Sequence, residues 1–158
     1  MPSLRLHEKW DRRFGIDPEI AREVDEFIDL GDHHDIGRGR ARDDYFARRH
    51  IIQRYGYEGY AVYLLHHALD YIKWWIRKSG NPPPIERLHK KLSKLLPLGR
   101  PYLTRTGRIG ITRFGQISPN FLDPRAIEVF WKVIQFVEDN FDEIVENIKS
   151  EVRSKRGI

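Results

Sequence analysis

The chain has 158 residues, a formal net charge of +5 and a 40% share of hydrophobic residues. This length favours one domain with its own core, and the apolar share excludes a disordered polyelectrolyte. The chain contains no cysteine, which excludes disulfides, thiolate metal sites and cysteine nucleophiles. No apolar run has the length of a secretory leader or the roughly 20 residues of a membrane span, so an intracellular chain that contacts no membrane is expected.

Helical signals begin at Asp17, which is a suitable N-cap for an amphipathic helix over residues 17–30. The following stretch, GDHHDIGRGRARDD (31–44), is interrupted by glycine and predicts a connection between helices. Apolar residues then recur at helical spacing over 42–55, which predicts a second helix that ends near Gly56.

The clearest helical pattern covers residues 57–79, where apolar side chains lie along one stripe until GNPPP ends the helix. The stripe consists of Ala61, Leu65, Ala68, Leu69, Ile72 and Ile76. A further amphipathic helix is expected over 85–96, with its lysines facing outward. Threonines and β-branched residues around Gly107 predict a β-hairpin at about 101–117.

A last apolar stripe predicts a long C-terminal helix at about 124–152, with Asp123 as its cap. This helix is expected to pack inside the domain or against a second copy of the chain. In an alternative interpretation, the pair Asp139 and Asn140 divides this stripe into two helices. The predicted fold is therefore a mainly α, single-domain helical bundle with one small β-hairpin.

Positive charge is concentrated in residues 73–113, which contain eleven lysines and arginines against one acid, Glu86. Such a segment favours a polyanionic partner, and nucleic acid is the expected one. The residues expected to bind it are Lys90, Lys91, Lys94, Arg100, Arg105, Arg108 and Arg113, with Trp74 available to stack on unpaired bases. In the alternative interpretation these lysines form a solvated helix face and the arginines pair with the acidic C-terminal helix.

A helix followed by a glycine-arginine hairpin, over residues 57–117, resembles the winged-helix family. The resemblance implies a nucleic-acid-binding domain.

Histidines provide a second pattern. His67 and Asp70 are three residues apart and share a helix face with Tyr63 and Trp74, away from the apolar stripe. An imidazole and a carboxylate at this spacing can share a divalent cation or form a hydrogen bond with each other.

The motif HDIGR (34–38) resembles the HD-domain metal-dependent phosphohydrolases. The resemblance implies a helical site in which a divalent metal activates water against a phosphate ester. The ligands it implies are His7, the pair His34 and Asp35, the histidines His50 and His67, and Asp70. The metal-site hypothesis drawn from it rests on His34, Asp35, His67 and Asp70.

Three functions follow from these patterns. The leading function is that of a nucleic-acid-binding or packaging protein without cofactor or catalysis. Such a protein would contact the phosphate backbone through a basic helix and hairpin. The second is a metal-dependent phosphohydrolase or nuclease, and the third is a helical protein-protein adaptor that self-associates through its final helix. The sequence does not decide whether the nucleic acid is DNA or RNA, whether it is single- or double-stranded, or what oligomeric state the chain adopts.

Overall fold

A computed structural model describes residues 4–30, 41–96, 101–103, 109–111 and 124–155. Over these ranges the chain is mainly helical, as predicted, with six helices and one short strand pair. The elements are α1 (Leu4–Phe14), α2 (Pro18–Leu30), α3 (Ala41–Ser79), α4 (Ile85–Ser93), β1 (Pro101–Leu103), β2 (Ile109–Ile111), α5 (Pro124–Asp139) and α6 (Phe141–Lys155). None of the described helices is long and apolar enough to cross a membrane.

The start of α2 follows the capping prediction. Asp17 Oδ1 accepts hydrogen bonds from the backbone N–H groups of Glu19 at 2.8 Å and Ile20 at 3.4 Å, which satisfies donors that lack a partner within the helix. Helix α1 has no counterpart among the predicted elements. Its buried face is half polar, since His7 and Asp11 are buried beside apolar residues, and apolar periodicity therefore does not reveal it.

Helix α3 is the centre of the bundle and contacts α1, α2, α4, α5 and α6. Every residue from 59 to 69 is consequently buried, as expected for a helix enclosed on all sides. The prediction of a single buried stripe is therefore wrong for this part of the helix. Tyr63 and His67, which it leaves on the other face, are buried as well.

The predicted helix boundary at Gly56 is confirmed as an interruption of α3. Gly56 has φ 72° and ψ −164°, a conformation that is essentially restricted to glycine. Gly56→Ala is therefore expected to lower the free energy of unfolding by about 1–3 kcal/mol, measured as a lower urea midpoint at unchanged slope. Gln53→Ala, an exposed change on the same helix, should stay within about 0.5 kcal/mol of the parent. Equal midpoints for the two variants would contradict the assignment.

The C-terminal stripe forms two helices, α5 and α6, so the prediction of one long helix is wrong and its two-helix alternative is correct. The break is at Asn140, whose Nδ2 donates a hydrogen bond to the Phe136 carbonyl at 2.8 Å. Both helices contact α3. Most of their apolar residues, including Val137 and Ile148, are buried within the chain, whereas Trp131 is 55% exposed. The buried part of this stripe therefore packs inside the domain, and self-association through it stays a prediction.

The strands β1 and β2 pair antiparallel, with Tyr102 opposite Gly110. Residues 104–108, between the two strands, and residues 112–123, which follow β2, lie outside the described residues. The full hairpin predicted over 101–117 stays a prediction.

Candidate metal centre

A buried group of histidines and aspartates lies where α1, α2 and α3 meet. His66 of α3 is fully buried, and its Nδ1 donates a hydrogen bond to Asp25 Oδ1 of α2 at 2.9 Å. Its other nitrogen, Nε2, is 3.2 Å from Asp29 Oδ1 and 3.3 Å from Asp70 Oδ2. The imidazole of His66 is therefore surrounded by three carboxylates.

His7 adds a second imidazole from α1. Its ring is stacked on that of His66, with centroids 4.0 Å apart and planes 3° from parallel. His7 Nε2 is 3.4 Å from Asp70 Oδ1, so the Nε2 atoms of both histidines face the carboxylate of Asp70. Two helices thus bring two imidazoles against one acid.

Several of these buried polar atoms have no hydrogen-bond partner. They are both ring nitrogens of His7, Nε2 of His66, Oδ1 of Asp29 and Oδ1 of Asp70. Buried polar atoms without a partner are rare and costly in folded proteins. These atoms lie at ion-pair distance from one another, an arrangement that is also expected of ligand atoms that share one centre.

The carboxylates set the charge of His66. Burial by itself lowers the pKa of His66, but the facing Asp25, Asp29 and Asp70 outweigh burial and raise this pKa well above its ordinary value. Burial by itself also raises the pKa of Asp70, yet the imidazoles of His66 and His7 hold it below its usual range. The group is therefore an ion cluster with a positive imidazolium at its centre.

Asp11 of α1 extends the cluster on the side of Asp25. Burial, together with a hydrogen bond to Asp25, raises the pKa of Asp11 to about 10, so Asp11 is neutral at pH 7 and donates to the Asp25 carboxylate. A pocket between α1 and α2 reaches Asp11 and is also lined by Glu8, Arg12 and Arg22.

Among the described residues, His7, His66 and Asp70 form a group that could hold a metal ion. One ligand atom from each lies within 4.8 Å of the others. Two ligands at 2.0–2.1 Å from a tetrahedral Zn²⁺ would be about 3.3–3.4 Å apart, which is close to the separation of each histidine Nε2 from Asp70. Imidazole and carboxylate donors without thiolate suit Zn²⁺, Mn²⁺ and Fe²⁺.

Of the ligands taken from the HD-domain resemblance, the structure brings His7 and Asp70 together. His34 and Asp35 lie outside the described residues. His50 is exposed and stacks on Phe27 with ring centroids 5.0 Å apart, and it is not part of the group formed by His7, His66 and Asp70.

His67 is buried beside the cluster but does not belong to the group of possible ligands. Its ring contacts Tyr63 and His66 edge-on. Burial, reinforced by the charge of His66, lowers the pKa of His67 to about 3, so its imidazole is neutral. His66, rather than His67, is the residue of this histidine pair that faces Asp70.

Sequence reasoning missed Asp11, Asp25, Asp29 and His66. A signal for Asp25 was present, because it lies four residues after Ala21 and three before Ile28 on the buried face of α2. A carboxylate on an apolar helix face requires a buried partner. The same argument applied to His7 and Asp11 would have revealed α1.

The residues predicted to bind nucleic acid are only partly described. On α3, Trp74 is 43% exposed. Lys90 of α4 and Lys94 just after it are exposed, and Lys91 is half-buried. The arginines Arg100, Arg105, Arg108 and Arg113 lie outside the described residues.

One cation of the basic segment faces inward. Lys73 is buried, and its Nζ donates to Glu151 Oε1 of α6 at 3.3 Å. Its charge is therefore balanced inside the bundle and does not add to the positive surface.

Comparison of the chain with protein-family models, with curated proteins and with solved structures finds no match. The two family resemblances therefore rest on the residues quoted for them.

Proposed function

We propose that the chain is a divalent-metal-dependent hydrolase of phosphate esters, with His7, His66 and Asp70 as the metal ligands. The observation that carries this proposal is the buried convergence of two imidazoles on one carboxylate, with ligand atoms that lack hydrogen-bond partners. Asp29 Oδ1 lies 3.2 Å from His66 Nε2, beside this group of three.

The neighbouring acids support this assignment because they orient the ligands. Asp25 accepts from Nδ1 of His66, which leaves Nε2 directed to the centre, as in metal sites where a carboxylate fixes the histidine tautomer. When bound, a divalent ion would lower the pKa of coordinated water and polarise a phosphoryl oxygen. The side chains of Asp29 and Asp70 are 22% and 20% exposed, so the substrate would approach from their side.

Two further observations favour a phosphate ester as the substrate. The HD-domain resemblance implies this chemistry and shares His7 and Asp70 with the observed cluster. The basic segment 73–113 would attract anions, and Arg77, Lys78, Arg87 and Lys90 are exposed within it.

The test is metal content together with turnover. The purified protein is incubated with Mn²⁺, Zn²⁺, Fe²⁺ or Mg²⁺, desalted and analysed by elemental mass spectrometry, and hydrolysis of bis(p-nitrophenyl) phosphate is followed. About one ion per chain is expected, with a hydrolysis rate that chelator abolishes. His66→Ala should lose both the ion and the turnover, because a site with one imidazole removed is incomplete.

His50→Ala is the matched control, since His50 lies on the same helix outside the cluster, and it should retain metal and turnover. A folded His66→Ala protein that keeps its ion at parental stoichiometry would overturn the ligand assignment. If His50→Ala also lost the ion, this would show that the effect of His66→Ala is not local. Asp35→Ala separately tests the ligand pair implied by the resemblance.

A non-enzymatic nucleic-acid-binding protein is the second candidate. It is favoured by the exposed cations of α4, Arg87, Lys90 and the adjacent Lys94, to which the arginines of the predicted hairpin would add. On this reading binding weakens steeply with salt, no turnover occurs with any ion, and His66→Ala leaves affinity unchanged.

A further inference from the structure

An aromatic surface lies on α3 directly after the cluster. The rings of Tyr71 and Trp74 are 10° from parallel, with centroids 6.1 Å apart. Trp75 contacts both edge-on, at 5.8 Å from Tyr71 and 5.9 Å from Trp74. Trp74 therefore packs beside two other rings while 43% of the residue is exposed to solvent. An exposed tryptophan ring of this kind can stack on an unpaired base.

Cations border the same rings. Lys78 Nζ lies 5.1 Å from the Trp74 ring centroid, and Lys91 Nζ of α4 lies 5.9 Å from that of Tyr71. Burial raises the pKa of the Tyr71 hydroxyl, and the nearby positive charge of Arg87 on α4 partly opposes this rise. Between residues 71 and 96 the only acid is Glu86. The surface therefore combines stacking faces with positive charge.

This surface adjoins the open edge of the metal centre. Asp70 directly precedes Tyr71, and Trp74 follows Asp70 by four residues, which puts it on the same face of α3 about 6 Å further along the axis. The imidazoles of the cluster are buried, whereas Asp70 is partly exposed. A ligand that stacks on Trp74 would have its neighbouring groups at Asp70.

We propose that Tyr71, Trp74, Lys78 and Lys91 bind single-stranded nucleic acid and present one of its phosphodiesters at Asp70. This inference rests on the proposed function and names its substrate class. Unpaired bases stack on the two rings while the lysines neutralise phosphates, a combination that selects single strands over duplexes. In the reaction, water gives its hydroxyl to phosphorus, the ester P–O bond breaks, and the remaining proton goes to the departing oxygen.

The experiment measures binding and cleavage by the full chain. Fluorescent dT12, rU12 and a 12-base-pair duplex are titrated by anisotropy, with the metal present and with chelator. Trp74→Ala is expected to weaken single-strand binding roughly 5- to 100-fold, and Trp74→Phe to retain most of the affinity. In the double variant Lys78→Ala with Lys91→Ala, log K should fall less steeply with the logarithm of the salt concentration. The negative slope should become smaller in magnitude by about 1.4, at about 0.7 per phosphate contact. The two single strands show whether DNA or RNA is preferred.

Trp131→Ala is the control, because Trp131 is likewise an exposed tryptophan, at 55%, but belongs to another helix, α5, and it should bind like the parent. Equal affinity of Trp74→Ala and the parent for both single strands would overturn the proposal, as would tighter binding of the duplex. Bis(p-nitrophenyl) phosphate separates the two proposals. If the proposed binding surface is incorrect and the proposed hydrolase activity is correct, Trp74→Ala cleaves both the small ester and the oligonucleotide at the parental rate. If the hydrolase is wrong, the parent cleaves neither, while the effect of Trp74→Ala on binding persists.

Discussion

Asp70→Asn is expected to lower kcat/KM of the metal-supplemented protein toward a phosphodiester roughly a thousandfold, or about 4 kcal/mol of transition-state stabilisation. Asp70 is the carboxylate that both imidazole Nε2 atoms face, and asparagine keeps its shape while removing its charge. The variant therefore retains the packing of the cluster and loses its anionic ligand. Initial rates with bis(p-nitrophenyl) phosphate measure the effect.

The same variant is expected to lose stabilisation by metal, which is a readout independent of turnover. An ion present at 1,000 times its Kd stabilises the folded state by about 4 kcal/mol, which would raise the Tm of a chain of this size by roughly 8–16 °C. The parent should show this shift and Asp70→Asn should not. A variant with parental kcat/KM and a parental Tm shift would remove Asp70 from the site.

Asp11→Asn is expected to stabilise the metal-free protein increasingly as the pH rises. Burial and the hydrogen bond to Asp25 raise the pKa of Asp11 to about 10, against about 3.9 in an unfolded chain. Between these values the folded protein binds a proton that the unfolded chain has released, so stability falls with rising pH by about 1.4 kcal/mol per unit. Asparagine donates to Asp25 without this penalty, and its advantage should grow by about 4 kcal/mol between pH 5 and pH 8.

Urea denaturation in chelator across this pH range measures the difference between parent and variant. His67 acts in a window that partly overlaps that of Asp11, since the pKa of His67, about 3, lies below the unfolded value of about 6.5. Its contribution to stability is therefore lost as the pH falls below about 6.5, and it is present in both proteins, so it cancels in the comparison. Asp139→Asn, an exposed change on α5, is the control. A constant difference between parent and Asp11→Asn across the range would show that Asp11 is not held neutral.

The sequence predicted those parts of the fold that depend on local signals. The cap at Asp17, the interruption at Gly56 and the apolar face of α4 each follow from residues close together in the chain. Helix α1 did not follow, because His7 and Asp11 occupy half of its buried face. An apolar count treats such residues as solvent-facing, whereas their burial depends on partners on α2 and α3.

The candidate site was only partly predictable for a related reason. Spacing identified Asp70, and the family resemblance identified His7, but periodicity could not distinguish His66 from His67. Helix α3 is enclosed by five other helices, so the side of the helix assigned to solvent is also buried. The orientation of a histidine within such a helix is decided by the arrangement of its neighbours, which a single sequence does not contain.

The attachment of α1 to the last helices has a consequence for the order of folding. Arg13 of α1 pairs with Glu143 of α6 at 2.8 Å, and Trp10 and Phe14 contact Phe136 of α5. These contacts join residues more than 120 positions apart, so they form late in a folding chain. During synthesis, His66 and Asp70 leave the ribosome long before α5 and α6 can make these contacts with α1. The contacts that support α1, which carries His7 of the proposed metal site, would therefore be complete only after synthesis of α6.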